Sequence, residues 1–377
     1  MENWNKDLFI DDLEKLVNID SGSHYFEGIE RVADFLERRL NPIGFKAFRH
    51  ENGNEAGCNL EFRNYEGDEY DFLFLGHMDT VFPEGTAKQR PFSIDKEGNV
   101  HGPGCADMKA GDVTILYLVQ KLMKTHPAIK ICIALNGSEE TGAQCSIPWI
   151  EGLARHAKYC LNFEPGREGL PGGKSFVSER KGILECEVQI EGISVHSGVN
   201  PEKGANALVE LGHWMTELHK WNDYSKGTSI NVGTAQGGSA TNVVPESAKC
   251  VFEVRFESIA ELNRIKRNIR ELTSCPLIKG THATVVKLSY MPPMETTETS
   301  RQLMDTVSEV ANSLNYPIAY VKTGGVSDAN WVSGVKTAVF DGCGPIGGNL
   351  HSAQEYLRTD SIVPNLELMY EVILRLA

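Results

Sequence analysis

Long apolar runs are missing from this chain: no stretch approaches the ~20 consecutive apolar residues that a membrane helix needs, so no membrane-spanning segment is expected. The opening MENWNKDLFIDDLEKLVNID is acidic and helix-patterned, without the basic start and apolar centre of a secretory signal. The nine cysteines are odd in number and scattered, and no CxxC pair occurs among them. That argues against a zinc ribbon and against a disulfide framework, and makes the reducing cytoplasm the expected compartment. Positive charge is also short: 37 Lys and Arg stand against 51 Asp and Glu, a net charge of −14. Nucleic acid is therefore not an expected partner. Internal repeats and low-complexity segments are absent. What remains is the composition of an ordinary globular protein whose 377 residues exceed what one core usually fills, so two domains are expected.

Helix-like and strand-like segments alternate in the first half. FEGIERVADFLERRL repeats apolar residues at Ile29, Val32, Leu36 and Leu40, a helical face. Strand patterns follow at NLEFRN, DFLFLGH, IKICIALNG and KYCLNF, with helix patterns after Lys109 and at IPWIEGLARHA. This order predicts an α/β domain with a mostly parallel, helix-covered sheet. From residue 178 to 290 the pattern changes to strand–helix–strand–strand–helix–strand, the ferredoxin-like order. After Pro292-Pro293 the helix–strand alternation resumes. The chain thus reads as a discontinuous domain, 1–177 and 291–377, with a ferredoxin-like α+β domain inserted at 178–290.

Acids and histidines recur where strands of the first domain should end. His77 and Asp79 close the second strand pattern, and Asp107 sits in the Gly-rich GPGCADMKAG before a helix. Glu139 and Glu140 follow IKICIALNG, Glu164 follows KYCLNF, and His351 lies in GGNLHS beyond KTAVF. Singly, each has a plain structural explanation: a solvated strand end, an N-cap, an acid favoured by a helix dipole, or a turn. Ligand sites of open α/β sheets collect at the carboxyl ends of strands, so their joint occurrence points to one edge. Oxygen and nitrogen ligands without a thiol suit two divalent metals in a catalytic centre.

The motifs GHMDTV, GPGCADMKAG, GSEETG, FEP, SVHSG, NVVP, TGGVSDA and a late HS stand in this order along nearly the whole chain. In this the sequence resembles the zinc-dependent exopeptidase and deacylase family that includes glutamate carboxypeptidase, peptidase T, acetylornithine deacetylase and succinyl-diaminopimelate desuccinylase. The resemblance implies that Asp107 bridges two metals, one completed by His77 and Glu164 and the other by Glu140 and His351. Zinc is the implied metal, with cobalt or manganese compatible with such ligands. It further implies that Asp79 supports the His77 imidazole, that Glu139 is the general base, and that the peptide after Asp107 is cis. His196 of SVHSG would reach the partner subunit's site and stabilise the tetrahedral oxyanion, which implies a homodimer. Arg255 would grip the substrate's α-carboxylate, a task suited to guanidinium, helped by Asn242 and the backbone of Gly324 and Gly325.

Glu164 fits the carboxypeptidase and deacylase branches, and SVHSG, GANALVEL and NVVPESA look closest to glutamate carboxypeptidase. Lys174 falls near the place where that enzyme carries a lysine suited to a side-chain carboxylate. SYMPPM holds no arginine where that enzyme has one, which leaves a broader carboxypeptidase or an N-acyl amino acid deacylase open. Either would act on a small peptide or N-acyl amino acid. A ligand-binding homologue without catalysis should lack the base or a ligand, and none is missing here.

Overall fold

The computed structural model describes residues 4–53 and 55–377. The chain divides into two compact units: the first comprises the chain up to Ser178, Thr296–Lys322 and Ser327–Ala377, the second Glu179–Glu295 and Thr323–Val326.

The first unit is built on one large sheet. Its strands run, in spatial order, Lys46–His50, Asn59–Arg63, Ile131–Asn136, Tyr70–His77, Ala157–Asn162, Ala338–Asp341, Lys174–Arg180 and Ile318–Thr323. The central strands Ile131–Asn136, Tyr70–His77, Ala157–Asn162 and Ala338–Asp341 pair in parallel. Antiparallel pairings join them on one side to Asn59–Arg63 and on the other to Lys174–Arg180. Tyr70–His77 is buried at all but Asp71 and Ile131–Asn136 throughout, as strands covered on both faces must be. Helix Phe26–Leu40 buries Ile29, Val32, Leu36 and Leu40 as its periodicity predicts. Helix Lys109–Thr125 is buried around nearly its whole circumference in its first three turns. It packs against helices Lys6–Val17, Phe26–Leu40 and Ile362–Leu376. Gly111 permits its close approach to the sheet, because a Cβ there would lie 2.1 Å from the Phe163 carbonyl oxygen. A small second sheet orders Gly347–Gly348, Tyr356–Arg358, Asn99–His101 and Ser93–Ile94, and its register sets Tyr356 opposite His101.

The second unit is a four-stranded antiparallel sheet in the order Ser229–Gly237, Ser247–Phe256, Gly182–Glu191, His282–Met291. Alternate residues Leu184, Cys186, Val188 and Ile190 face Phe252, Val254 and the helices Ala207–Lys220 and Ile259–Ser274 in one core. Glu253 and Arg255 occupy the other face of their strand by the same alternation. This unit extends past residue 290 because Arg180 and Met294 exchange backbone hydrogen bonds of 3.1 and 3.0 Å. Residues 323–326 join it through Lys181 N–H to the Thr323 carbonyl at 3.1 Å and Arg180 Nη1 to the Gly325 and Val326 carbonyls at 3.3 Å each. Among the described residues no helix is long and apolar enough to cross a membrane.

Candidate active site

Strand ends of the first unit bring the candidate ligands together. His77 is the last residue of its strand and is fully buried. Its Nδ1 lies 3.0 Å from the Asp79 carbonyl oxygen and 3.3 Å from the Asp79 carboxylate. Both are acceptors, so Nδ1 donates and Nε2 presents its lone pair to the other side. That side holds Asp107 Oδ1 at 3.4 Å and Glu164 Oε1 at 3.6 Å. The second oxygen of Asp107 lies 3.2 Å from His351 Nε2, which also meets Glu140 Oε2 at 3.2 Å. One carboxylate thus stands between two imidazoles. The His351 side chain is 55% exposed, so the site opens to solvent there. The peptide after Asp107 is cis.

Asp79 does more than meet His77. It accepts hydrogen bonds from Ser23 Oγ at 2.6 Å and from the backbone amides of Glu139 and Glu140 at 3.1 and 3.2 Å. Ser23 is in reach because the Ser21–Ser23 loop pairs with Thr80. The turn carrying the two glutamates is also held from below. Asn136 accepts the Ser138 amide at 2.8 Å and donates to buried Asp328.

Electrostatics at this edge are those of crowded, buried carboxylates. Burial, then the like charges of Glu164, Asp328 and Glu140, push the Glu139 carboxyl well above its ordinary range, against the pull of His77. Burial alone would raise Asp107 too, but His351 and His77 hold it well below. In turn Asp107 and Glu140 lift His351 to about 10. Burial works against the charged form of His77, yet Asp107 and Asp79 raise it well above its usual value. Both imidazoles thus stand in a field of acids that favours positive charge at this edge, the setting in which a metal cation can take the place of protons. Ligand atoms of His77, Asp107 and Glu140, and of His77, Glu139 and Glu164, lie within 4.8 Å of one another. Buried His77 Nε2 and Glu140 Oε1 have no hydrogen-bond partner. An orphaned imidazole nitrogen and carboxylate oxygen at one place suit a divalent metal.

Comparison with known proteins gives the family. The family model described as peptidase family M20/M25/M40 matches residues 73–375. The chain belongs to that family. As an M20 member it is a hydrolase of the metallopeptidase class. It is 30% identical over 97% of its length to carboxypeptidase G2 of Pseudomonas sp. (strain RS-16), covering 88% of that protein. A succinyl-diaminopimelate desuccinylase of Aromatoleum aromaticum is 25% identical over 90% of the chain and 89% of its own length. The fold is shared with aminopeptidase PepT of Bacillus cereus ATCC 10987, with a TM-score of 0.75, 22% identity and 99% of each chain covered.

The remaining candidates divide between the two units. Lys174 is fully buried, donating to the Gly344 carbonyl at 2.6 Å and to Asn365, with its ammonium 4.3 Å from the Phe176 ring centre. That position corrects the expectation of a substrate-binding lysine: its donors are spent inside the first unit, and it leaves the substrate-binding set. In the second unit His196 is exposed and its Nδ1 accepts the Gly198 amide at 3.0 Å. The neighbouring Asn242 carbonyl accepts the Ser197 amide, also at 3.0 Å. Arg255 donates to the Gly324 carbonyl at 3.2 Å, while its Nε and Nη2 engage Glu253 at 2.6 and 3.3 Å. Sequence reasoning overlooked Ser23, Asn136, Asp328 and Glu355. Asp328 lay inside TGGVSDA and Asn136 near the end of IKICIALNG, but all four act on backbone amides or on a neighbour's side chain and leave no local pattern.

Proposed function

We propose that this protein is a two-metal amide hydrolase that releases a C-terminal amino acid from a small peptide or acyl-amino acid, as a glutamate carboxypeptidase-like metallopeptidase. The observation that carries this reading is Asp107 set between His77 and His351 at 3.4 and 3.2 Å. With Asp107 shared, His77 and Glu164 would hold one divalent cation, and Glu140 and His351 the other. Zinc is the proposed metal. Glu140 already contacts His351, which leaves Glu139 as the carboxylate free to move protons. Bound divalent metals would polarise the scissile carbonyl and acidify the attacking water.

Glu139 takes a proton from that water as it attacks and delivers it to the leaving amine. Its elevated affinity for protons, caused first by burial, suits both halves of that task. Asp79 keeps the His77 ring in the tautomer with Nε2 unprotonated. His196 offers an N–H donor to the tetrahedral oxyanion. With Nδ1 accepting from Gly198, its neutral ring carries the proton on Nε2. Exposure of this ring fits a donor that serves a second copy of the chain in a homodimer. Arg255 would bind the substrate's α-carboxylate, with Asn242, Gly324 and Gly325 beside it. The nine free thiols accord with a cytoplasmic setting.

The second reading, an N-acyl amino acid deacylase, is favoured by the burial of Lys174, which removes the expected partner for a glutamate side chain. Release of free amino acid by the zinc-loaded protein separates the two. Wild type and Glu139→Ala are compared on an N-acyl-glutamate, a glutamate-terminated dipeptide and N-acetylornithine. Preference for the glutamate substrates, lost in the variant, supports the carboxypeptidase. Preference for N-acetylornithine moves the protein to the deacylase. Absence of turnover on all of them refutes the glutamate carboxypeptidase reading and the acetylornithine form of the deacylase reading.

A further inference from the structure

Three amides of the loop that presents Asp107 converge on one buried carboxylate. Glu355 Oε1 accepts the backbone N–H of Ala106 at 2.8 Å and of Asp107 at 3.0 Å, and Oε2 accepts that of Gly104 at 3.2 Å. Convergent main-chain amides form an anion-binding concavity, and here the protein fills it with its own acid, which is 1% exposed. Glu355 is itself fixed. Its carbonyl oxygen lies 2.9 Å from His101 Nδ1, and His101 Nε2 meets Asp95 at 2.9 Å. It directly precedes Tyr356, paired with His101 in the small sheet. The same segment comes close to the Asp107 loop again at Gly347, where a Cβ would stand 2.4 Å from Ala106 Cβ.

We propose that Glu355 is a positioning residue for the metal centre: by gripping the amides of residues 104–107 it sets Asp107 between the two imidazoles. This rests on the two-metal reading above. The placement has a second consequence. Residues 351–355 supply both His351 and the carboxylate that orients Asp107, so one short segment fixes the bridging acid and a terminal imidazole relative to each other. A loop merely tethered for stability would need no such coupling to His351. Gln at 355 can keep the acceptor for Ala106 and Asp107 but turns an NH2 towards Gly104, whereas Ala loses every acceptor. A graded response is therefore expected.

The test measures zinc binding to the folded full-length protein by chelator competition, together with the visible spectrum of the cobalt-substituted form. Glu355→Ala should weaken zinc binding about 10–100-fold and alter the cobalt bands even at saturation. Glu355→Gln should show a smaller loss of affinity, with kcat lowered and KM little changed. Val32→Ala, a cavity variant in helix Phe26–Leu40, serves as the stability control and should leave zinc affinity and spectrum at wild-type values. Wild-type zinc affinity and cobalt bands in folded Glu355→Gln and Glu355→Ala would overturn the proposal while leaving the metal reading intact. Should Glu355→Ala not fold, Glu355→Gln decides alone. A wild-type protein that binds no zinc overturns both.

Discussion

Asp79 accepts the backbone amide of Glu139 at 3.1 Å with the same oxygen that lies 3.3 Å from His77 Nδ1. A single buried carboxylate therefore links the proposed metal-binding imidazole to the proposed general base. Asp79→Asn keeps the shape but replaces an acceptor oxygen by an amide NH2 facing donors. Zinc affinity is expected to fall about 10–100-fold. Turnover at saturating zinc should also drop, because the Glu139 turn loses its anchor. Recovery of wild-type kcat with excess zinc would confine the role of Asp79 to the metal.

Subunit sharing gives a complementation experiment. Glu139→Ala should lower kcat by about 10²–10⁴-fold, and His196→Ala by about 10²–10³-fold if it serves the oxyanion. If His196 acts in the partner's site, mixing the two variants after dissociation restores about a quarter of the sites under random pairing. If His196 acts within its own chain, the mixture stays as inactive as its components.

Glu253 already fills the fork of Arg255 that a substrate carboxylate would need. Glu253→Gln is expected to lower KM for substrates with a free α-carboxylate by about 2–5-fold, the scale of a partly exposed ion pair, with kcat unchanged. An increase in KM would mean instead that Glu253 orients the guanidinium for binding.

Stability should carry the signature of Lys174. Burial pushes its ammonium down to about 7, whereas in the unfolded chain it titrates near ~10.4. Between these values the unfolded chain holds a proton that the folded chain lacks, so this contribution makes stability rise with pH from about 7 to ~10. Below about 7 both states carry the proton and the slope vanishes. Denaturant unfolding of wild type and Lys174→Met across pH 7–10 checks this. The difference between them should grow with pH by roughly 3–4 kcal/mol, and parallel curves would refute it.

Metal removal should act on the first unit alone. Without cations, Asp107, Glu139, Glu140 and Glu164 crowd one edge, and chelation should lower the melting of that unit. Zinc at a hundredfold excess over its Kd should return about 2.7 kcal/mol. The melting of the second unit, followed by hydrogen exchange at the buried strand Gly182–Glu191, should not shift.

Much of the architecture was legible because the patterns were local. The face of helix Phe26–Leu40 and the alternation of Gly182–Glu191 are written in their own residues. The nearness of His77, Asp107, Glu140, Glu164 and His351 was legible for a different reason: each alone has an ordinary explanation, but their joint recurrence near strand ends and before a helix points to one edge. Lys174 misled because nothing local tells that Gly344 and Asn365, 170 and 191 residues away, will enclose it. Glu355 was illegible because its partners are backbone amides, which every residue possesses. Domain limits were read from element patterns, and so residues 323–326, which join the second unit through Arg180, Lys181 and Arg255, could not be assigned to it.

That short return of the chain bears on how such proteins can be recombined. A chimera made by exchanging 179–295 as one cassette would carry Arg255 into a new host without Gly324, whose carbonyl it grips at 3.2 Å. The recipient would supply a foreign tetrapeptide in its place. Such an exchange loses this contact, and a two-piece graft that includes 323–326 keeps it.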